Sequence, residues 1–242
     1  MTQLKDFEII NTLGEGSYSQ VYKVKRKSDS QIYAMKKVQM NQLKQKEKQN
    51  ALNEVRILAS ISNKHIINYK EAFIDEPSQL LCIIMEYAEF GDLQGMINTH
   101  IKNKTYFQEQ QIWGIIVDLT KGLKALHDMN ILHRDLKSAN IFITKDKIYK
   151  LGDLNVSKVA KNGFVNTQTG TPYYASPEVW RDEPYNSKSD IWSLGCVLYE
   201  ACAQRPPFTA NDMEGLFNKI QKGRFDRIPF RLTSWNASKF KI

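Results

Sequence analysis

Along the first ninety residues the apolar positions come in short blocks broken by Gly, Ser, Asp and Asn. Segments 7–13, 21–26 and 33–38 are each rich in β-branched, aromatic or aliphatic residues, which predicts three strands of a β-meander. Over 44–61 the pattern changes, because Ala51, Val55, Leu58 and Ile61 recur at steps of three and four behind a strongly polar start. That spacing predicts an amphipathic helix. Two more apolar runs, 66–74 and 80–87, predict strands, the second nearly continuous as expected of a buried one. Beyond Glu89-Phe90-Gly91-Asp92 the period lengthens, and over 108–129 Ile112, Ile116, Leu119, Leu123 and Leu126 share one helical face. The pattern therefore predicts a strand-rich lobe with one helix followed by a mainly helical lobe. Clefts between such lobes are favoured ligand sites. There is no internal repeat and no low-complexity tract.

Composition narrows this little. The 242 residues are 42% hydrophobic and 25% charged, as in ordinary globular proteins. A formal charge of +8 favours an anionic partner. Cys82, Cys196 and Cys202 form no C-x-x-C pair and suggest neither a disulfide framework nor a zinc site, which fits a reducing compartment. The longest apolar-leaning stretch, 191–203, is too short for a bilayer and carries Glu200. Thr2 and the cysteine-free end 239–242 lack the common lipid-anchor signals, so no membrane partner is expected.

Candidate chemistry begins at Leu13-Gly14-Glu15-Gly16-Ser17-Tyr18-Ser19-Gln20-Val21. Gly14 and Gly16 would let backbone amides approach a phosphate, although a hairpin turn explains the same pattern. Tyr33-Ala34-Met35-Lys36 sets a lysine near the end of the third strand, and Glu54 lies on the following helix. Lys37, adjacent on the strand, should face the opposite side as a solvated charge. The informative stretch is His133-Arg134-Asp135-Leu136-Lys137-Ser138-Ala139-Asn140, which fits H-R-D-L-x-x-x-N at every fixed position.

With that stretch the sequence resembles the eukaryotic protein kinase family, and the resemblance runs in order from Phe7 to about Phe230. Leu151-Gly152-Asp153-Leu154-Asn155 stands where the family has D-F-G, Ser176-Pro177-Glu178 where it has A-P-E, and 190–195 resembles the family's central buried helix. The resemblance implies an α+β, two-lobed protein-kinase-like fold: a small antiparallel sheet lobe with one helix, and a larger helical lobe lacking its last helices. It divides the chain into an extension (1–5), a kinase domain (6–230, with lobes 6–84 and 89–230 around a hinge at 85–88) and a divergent tail (231–242).

It also implies a substrate, ATP, and a cofactor, Mg2+. Lys36, oriented by Glu54, would hold the α and β phosphates, with Gly14, Glu15, Gly16, Ser17 and Tyr18 in the loop over the nucleotide and Leu13 and Val21 contacting adenine. Ala34 and Phe142 would flank adenine, Glu86 and Ala88 would supply hinge hydrogen bonds, Asp92 would lie near the ribose, and Met85 would guard the rear pocket. Ordinary core packing is the alternative for all of these residues, and for Leu13 and Met85 both readings can hold at once. Asn140 and Asp153 would bind magnesium, and Asp135 would accept the proton of the substrate hydroxyl.

Lys137 and Gly170-Thr171-Pro172-Tyr173-Tyr174, the substrate-pocket loop with Thr171, resemble the serine/threonine branch. The 169–178 wording, Arg205-Pro206-Pro207-Phe208 and the 220–229 stretch resemble the NIMA-related (NEK) kinases. Arg134 beside Asp135 marks the class switched by activation-loop phosphorylation, with Thr167 and Thr169 as candidate sites. Proteins with Ser/Thr acceptors are the implied partners, in a cytoplasmic, cytoskeletal or ciliary setting and in cell-cycle or microtubule regulation. No base-reading motif points to nucleic acid, and nothing fixes the oligomeric state. Three departures stand out: Ser19 for the third glycine of the phosphate loop, Asn155 for the D-F-G glycine, and no arginine placed to pair with Glu178, which predicts either exposed apolar surface or an unpaired buried carboxylate. The rival reading is a kinase-fold binding module that does not transfer phosphate.

Overall fold

In the computed structural model, which describes residues 2–16, 19–42, 44–154 and 172–228 apart from the side chains of 42, 46, 47, 50 and 54, the chain divides into two units, Met1–Glu89 and Phe90–Ile242. The first holds an antiparallel sheet of β1 (Phe7–Gly16), β2 (Ser19–Arg26), β3 (Ile32–Gln39), β4 (Tyr69–Asp75) and β5 (Leu80–Glu86), ordered β1-β2-β3-β5-β4. Helix α1 (Gln45–Ser60) lies between β3 and β4 in sequence. The apolar run predicted over 66–74 enters the ladder only at Tyr69. Ile66 is buried ahead of it, so its hydrophobicity serves the core without belonging to β4.

Pairing sorts the side chains into two faces, since directly opposed residues of antiparallel strands point the same way. Lys23 opposes Ala34 and Val21 opposes Lys36, while Met85, Ile83 and Leu81 on β5 oppose Ala34, Lys36 and Val38. This face is closed by Ala51 and Val55 of α1 with Met40 and Tyr69. The other face buries Phe7, Val24, Met35, Cys82 and Ile84, flanked by Tyr22, Tyr33 and Phe73.

The second unit is built from α2 (Leu93–Asn103), α3 (Glu109–Asp128), the hairpin β6 (Ile141–Ile143) and β7 (Tyr149–Leu151), α4 (Pro177–Trp180), α5 (Ser187–Ala203) and α6 (Met213–Gln221). Helix α3 packs on β7 and α5. Its buried stripe runs through Ile112, Ile115, Leu119, Leu123 and Leu126, so Ile115 takes the fully buried place expected for Ile116, which is half-buried. Helix α5 is buried around most of its circumference, including Ser189, Asp190, Ser193 and Glu200. A helix without a single apolar stripe belongs in the interior. Beside it Cys196, Phe208, Leu216 and Ile220 form a second core, with Trp192 stacked on Phe208 at 5.4 Å.

The three cysteines are free and buried. Burial pushes the Cys82 thiol up to about 11 and those of Cys196 and Cys202 up to about 12. Among the described residues no helix is long and apolar enough to cross a membrane.

Candidate active site

In the sheet unit, the backbone ladder positions the candidate residues. Gly14 pairs with Val21, and Val21 with Lys36, so the glycine strand and the lysine share one row across three strands. The strand breaks register between Thr12 and Gly14, a bulge of the kind that re-aims a strand beside a site. The two glycines differ. A Cβ on Gly14 would meet nothing within 4 Å, whereas one on Gly16 would lie 3.1 Å from Ser19 Oγ. Gly14 thus leaves room for close approach to its backbone, as a phosphate requires, while a Cβ on Gly16 would press on the Ser19 hydroxyl. Ser17 and Tyr18 lie outside the described residues, as does the side chain of Glu54. Its helix, α1, nevertheless packs on the sheet face that carries Lys36.

Lys37 points to the opposite face, where its ammonium sits 4.8 Å from the Tyr22 ring centroid. It is therefore engaged with an aromatic face and is more than a solvated charge. Leu13 is 44% exposed, while Met85 packs against the Met40, Leu81 and Ile83 core. At the end of β5, Glu86 N donates to Asn68 O (2.9 Å) and the Glu86 carboxylate accepts from Asn68 N (3.1 Å), which fixes the segment leading to buried Ala88.

In the helical unit, side chains do the positioning. Asp190 of α5 is fully buried, and its carboxylate accepts from His133 N (3.0 Å), Arg134 N (3.1 Å) and the Tyr185 hydroxyl (2.6 Å). His127 Nε2 lies 2.7 Å from the same carboxylate. This anchoring holds the loop while Arg134 adopts a left-handed backbone (φ 65°), a conformation that costs a non-glycine residue energy unless its surroundings enforce it.

Beyond the anchor, Lys137 Nζ reaches Asp135 Oδ2 at 3.1 Å, and Asn140 Nδ2 donates to Asp135 O (2.8 Å) and Oδ2 (3.2 Å). Buried His133 receives the Asp135 amide at Nδ1 (3.4 Å), and burial pushes its pKa down, so it stays neutral. The β6–β7 hairpin pairs Ile141 with Leu151, and Gly152 N donates to Asn140 O at 3.0 Å. Asp153, the next residue, has φ 50° and is exposed. Asp135, Lys137, Asn140 and Asp153 are thereby gathered by one loop and one hairpin.

Phe142 forms a bridge with Asp92, whose Oδ1 accepts from Gly95 N (2.7 Å) and caps α2. Glu178 was expected to be an unpaired buried carboxylate. It is instead only half-buried and accepts from the Ser189 hydroxyl at 2.5 Å, which helps to hold its pKa down. Thr167, Thr169, Thr171 and Asn155 lie outside the described residues.

The sequence reading missed Asp190's anchoring role and a partly buried chain formed by Gln94, Ser138, Tyr174 and Glu200. Polar residues inside the otherwise apolar helix 187–203 were the available signal. Magnesium fits the donor set at the loop, because Asn140 and Asp153 offer amide and carboxylate oxygens, which suit a hard cation. Among the described residues no group of three or more His, Cys, Asp or Glu gathers to hold a metal alone. A cation that keeps waters and takes further ligands from phosphates needs no such cage.

The protein kinase domain model matches residues 7–240. Serine/threonine-protein kinase Nek2 of Mus musculus is 40% identical over 237 residues, covering 95% of this chain and 54% of that protein. Nek2 of Homo sapiens is 40% identical over 237 residues, with 95% and 53% covered. Nek1 of Mus musculus is 42% identical over 218 residues, with 89% and 18% covered. The chain spans about half the length of the Nek2 relatives.

Proposed function

The chain belongs to the protein kinase family and is similar to its NIMA-related serine/threonine members, and on that footing we propose that it transfers the γ-phosphoryl group of ATP to Ser/Thr hydroxyls of proteins. The observation that carries this reading is the cluster at Asp135, with Lys137 and Asn140 against its carboxylate and Asp153 brought beside Asn140 by the β6–β7 hairpin.

In this reading the acceptor hydroxyl oxygen attacks the γ-phosphorus as the bond to the bridging oxygen breaks, and ADP leaves with that electron pair. The hydroxyl proton passes to the Asp135 carboxylate. Lys137 Nζ, already at that carboxylate, neutralises charge on the moving phosphoryl group, and Lys36 holds the α and β phosphates. The open space at Gly14 admits the phosphates to backbone amides. Magnesium, held by Asn140 and Asp153, would neutralise phosphate charge. By the family resemblance Thr171 would serve the acceptor hydroxyl, and phosphate on Thr167 or Thr169 would pair with Arg134. The similarity to NIMA-related kinases supports a role in cell-cycle or microtubule regulation.

The test is transfer of labelled γ-phosphate from Mg-ATP to a generic protein acceptor by the 242-residue chain, with Asp135→Asn alongside. A positioned base typically contributes about 10² to 10⁴ in rate, so a loss of that size with ATP binding retained is expected. Equal transfer by both proteins, or none by either, overturns the reading.

A further inference from the structure

Four polar side chains from four separate segments meet inside the helical unit. Ser138, in the loop between Asp135 and Asn140, is fully buried, and its Oγ lies 2.7 Å from the Gln94 amide oxygen on α2 and 3.1 Å from the Tyr174 hydroxyl. That hydroxyl donates to Glu200 Oε2 on α5 at 2.7 Å. The Tyr174 carbonyl is held too, by Ser193 Oγ at 2.9 Å. Each hydroxyl has one proton. With the Gln94 amide turned so that its Nε2–H2 faces Ser138, an assignment the heavy atoms leave open, every hydroxyl accepts one hydrogen bond and donates one. The chain then runs from Gln94 through Ser138 and Tyr174 to the Glu200 carboxylate.

We propose that Ser138 is a positioning residue that ties the loop bearing Asp135 to the substrate-pocket loop bearing Tyr174, so that seating of the acceptor peptide and placement of the base are one event. The inference rests on the phosphoryl-transfer reading for its kinetic consequence, while the tether itself stands on geometry. Ser138 touches neither substrate nor nucleotide in this role. Asp190 anchors His133 and Arg134, the N-terminal side of the loop. The Ser138 chain restrains the opposite side, three residues past Asp135. Buried polar chains rigidify what they join only when every member is satisfied, and here the Ser138 hydroxyl carries the link from Tyr174 to the loop. Two of its contacts cross 44 and 36 residues of sequence, so the link is tertiary.

The experiment compares the 242-residue chain with Ser138→Ala, Tyr174→Phe, the double variant and Asp135→Asn. Steady-state transfer to a protein acceptor is measured together with hydrogen exchange of the 133–140 amides. Each single substitution should lower kcat about tenfold, within the range a misplaced group costs, with KM for ATP within about twofold. The double variant should lose no more than either single one, because both cut the same chain. Exchange over 133–140 should quicken in all three variants. Unchanged kcat, losses that multiply in the double variant, or unchanged exchange in Tyr174→Phe would each overturn the proposal. If the unsubstituted chain shows no transfer sensitive to Asp135→Asn, the phosphoryl-transfer reading fails alone, and exchange still decides whether the tether exists.

Discussion

The two units position their polar residues by different physics. In the sheet, Lys36 is placed by the backbone ladder of β3, which is paired on both sides. In the helical unit the loop bearing Asp135 has no ladder partner along most of its length. It is placed by one buried carboxylate and by a partly buried chain of hydroxyls. Ladder positioning tolerates replacement of the side chain that it presents. Tethering does not tolerate loss of the tether.

The sharpest break of this comparison is Asp190→Ala against Lys36→Met. Removing the Asp190 carboxylate strands the buried His133 N–H, the half-buried Arg134 N–H and the Tyr185 hydroxyl, at about 1–3 kcal/mol each where no partner replaces it. A loss of about 3–5 kcal/mol is expected in urea unfolding. Lys36→Met should cost about 1 kcal/mol or less, because the ladder remains. Similar losses for the two variants would show that the units are not held differently.

A core substitution asks what the sheet does depend on. Met35 is fully buried in the face opposite Lys36. Met35→Ala should cost about 2–4 kcal/mol by the same measurement, more than Lys36→Met one position away. The contrast between neighbours on one strand would confirm that apolar packing with the ladder, rather than the polar side chain, stabilises this unit.

Glu200 sharpens the comparison through pH. Burial raises its pKa above the ordinary 4.5, with Tyr174, Ser138 and Cys196 as its neighbours. The folded state therefore binds this proton more tightly than the unfolded chain. The associated stability is complete below the ordinary value and is lost as pH rises through the folded value. Glu200→Gln has no such proton, so as pH rises above the ordinary carboxylate value the unsubstituted chain should lose melting temperature relative to the variant. Parallel curves would refute this.

The smallest effect belongs to the sheet rim. Arg26 pairs with Glu71, which also accepts from the Thr2 hydroxyl at 2.7 Å. Both partners are partly exposed. Glu71→Gln should cost under about 1 kcal/mol, and less in high salt, which the same unfolding measurement checks with added sodium chloride.

What was legible in the sequence follows the same division. Strands β1, β2, β3 and β5 and helix α3 are written in local periodicity, and their bounds lie within a few residues of those predicted. The exceptions are informative: Ile66 and Ile115 owe their burial to tertiary neighbours that no period reveals. Asp135, Lys137 and Asn140 were legible because they sit in one short motif. Asp190 holds His133 from 57 residues away, and Tyr174 reaches Glu200 across 26. Contacts of that range depend on how helices pack, so the sequence offered only the oddity of polar side chains in an apolar helix.

The buried cysteines have a practical consequence. Thiolate is the species that alkylating reagents attack, and Cys82, Cys196 and Cys202 are both enclosed and held protonated at neutral pH. The folded chain should therefore give almost no background with a maleimide dye, and one cysteine introduced at an exposed position such as Ala139 would take a fluorophore selectively beside the loop that carries Asp135. The unmodified protein is already suited to single-site spectroscopic labelling, without prior removal of its native thiols.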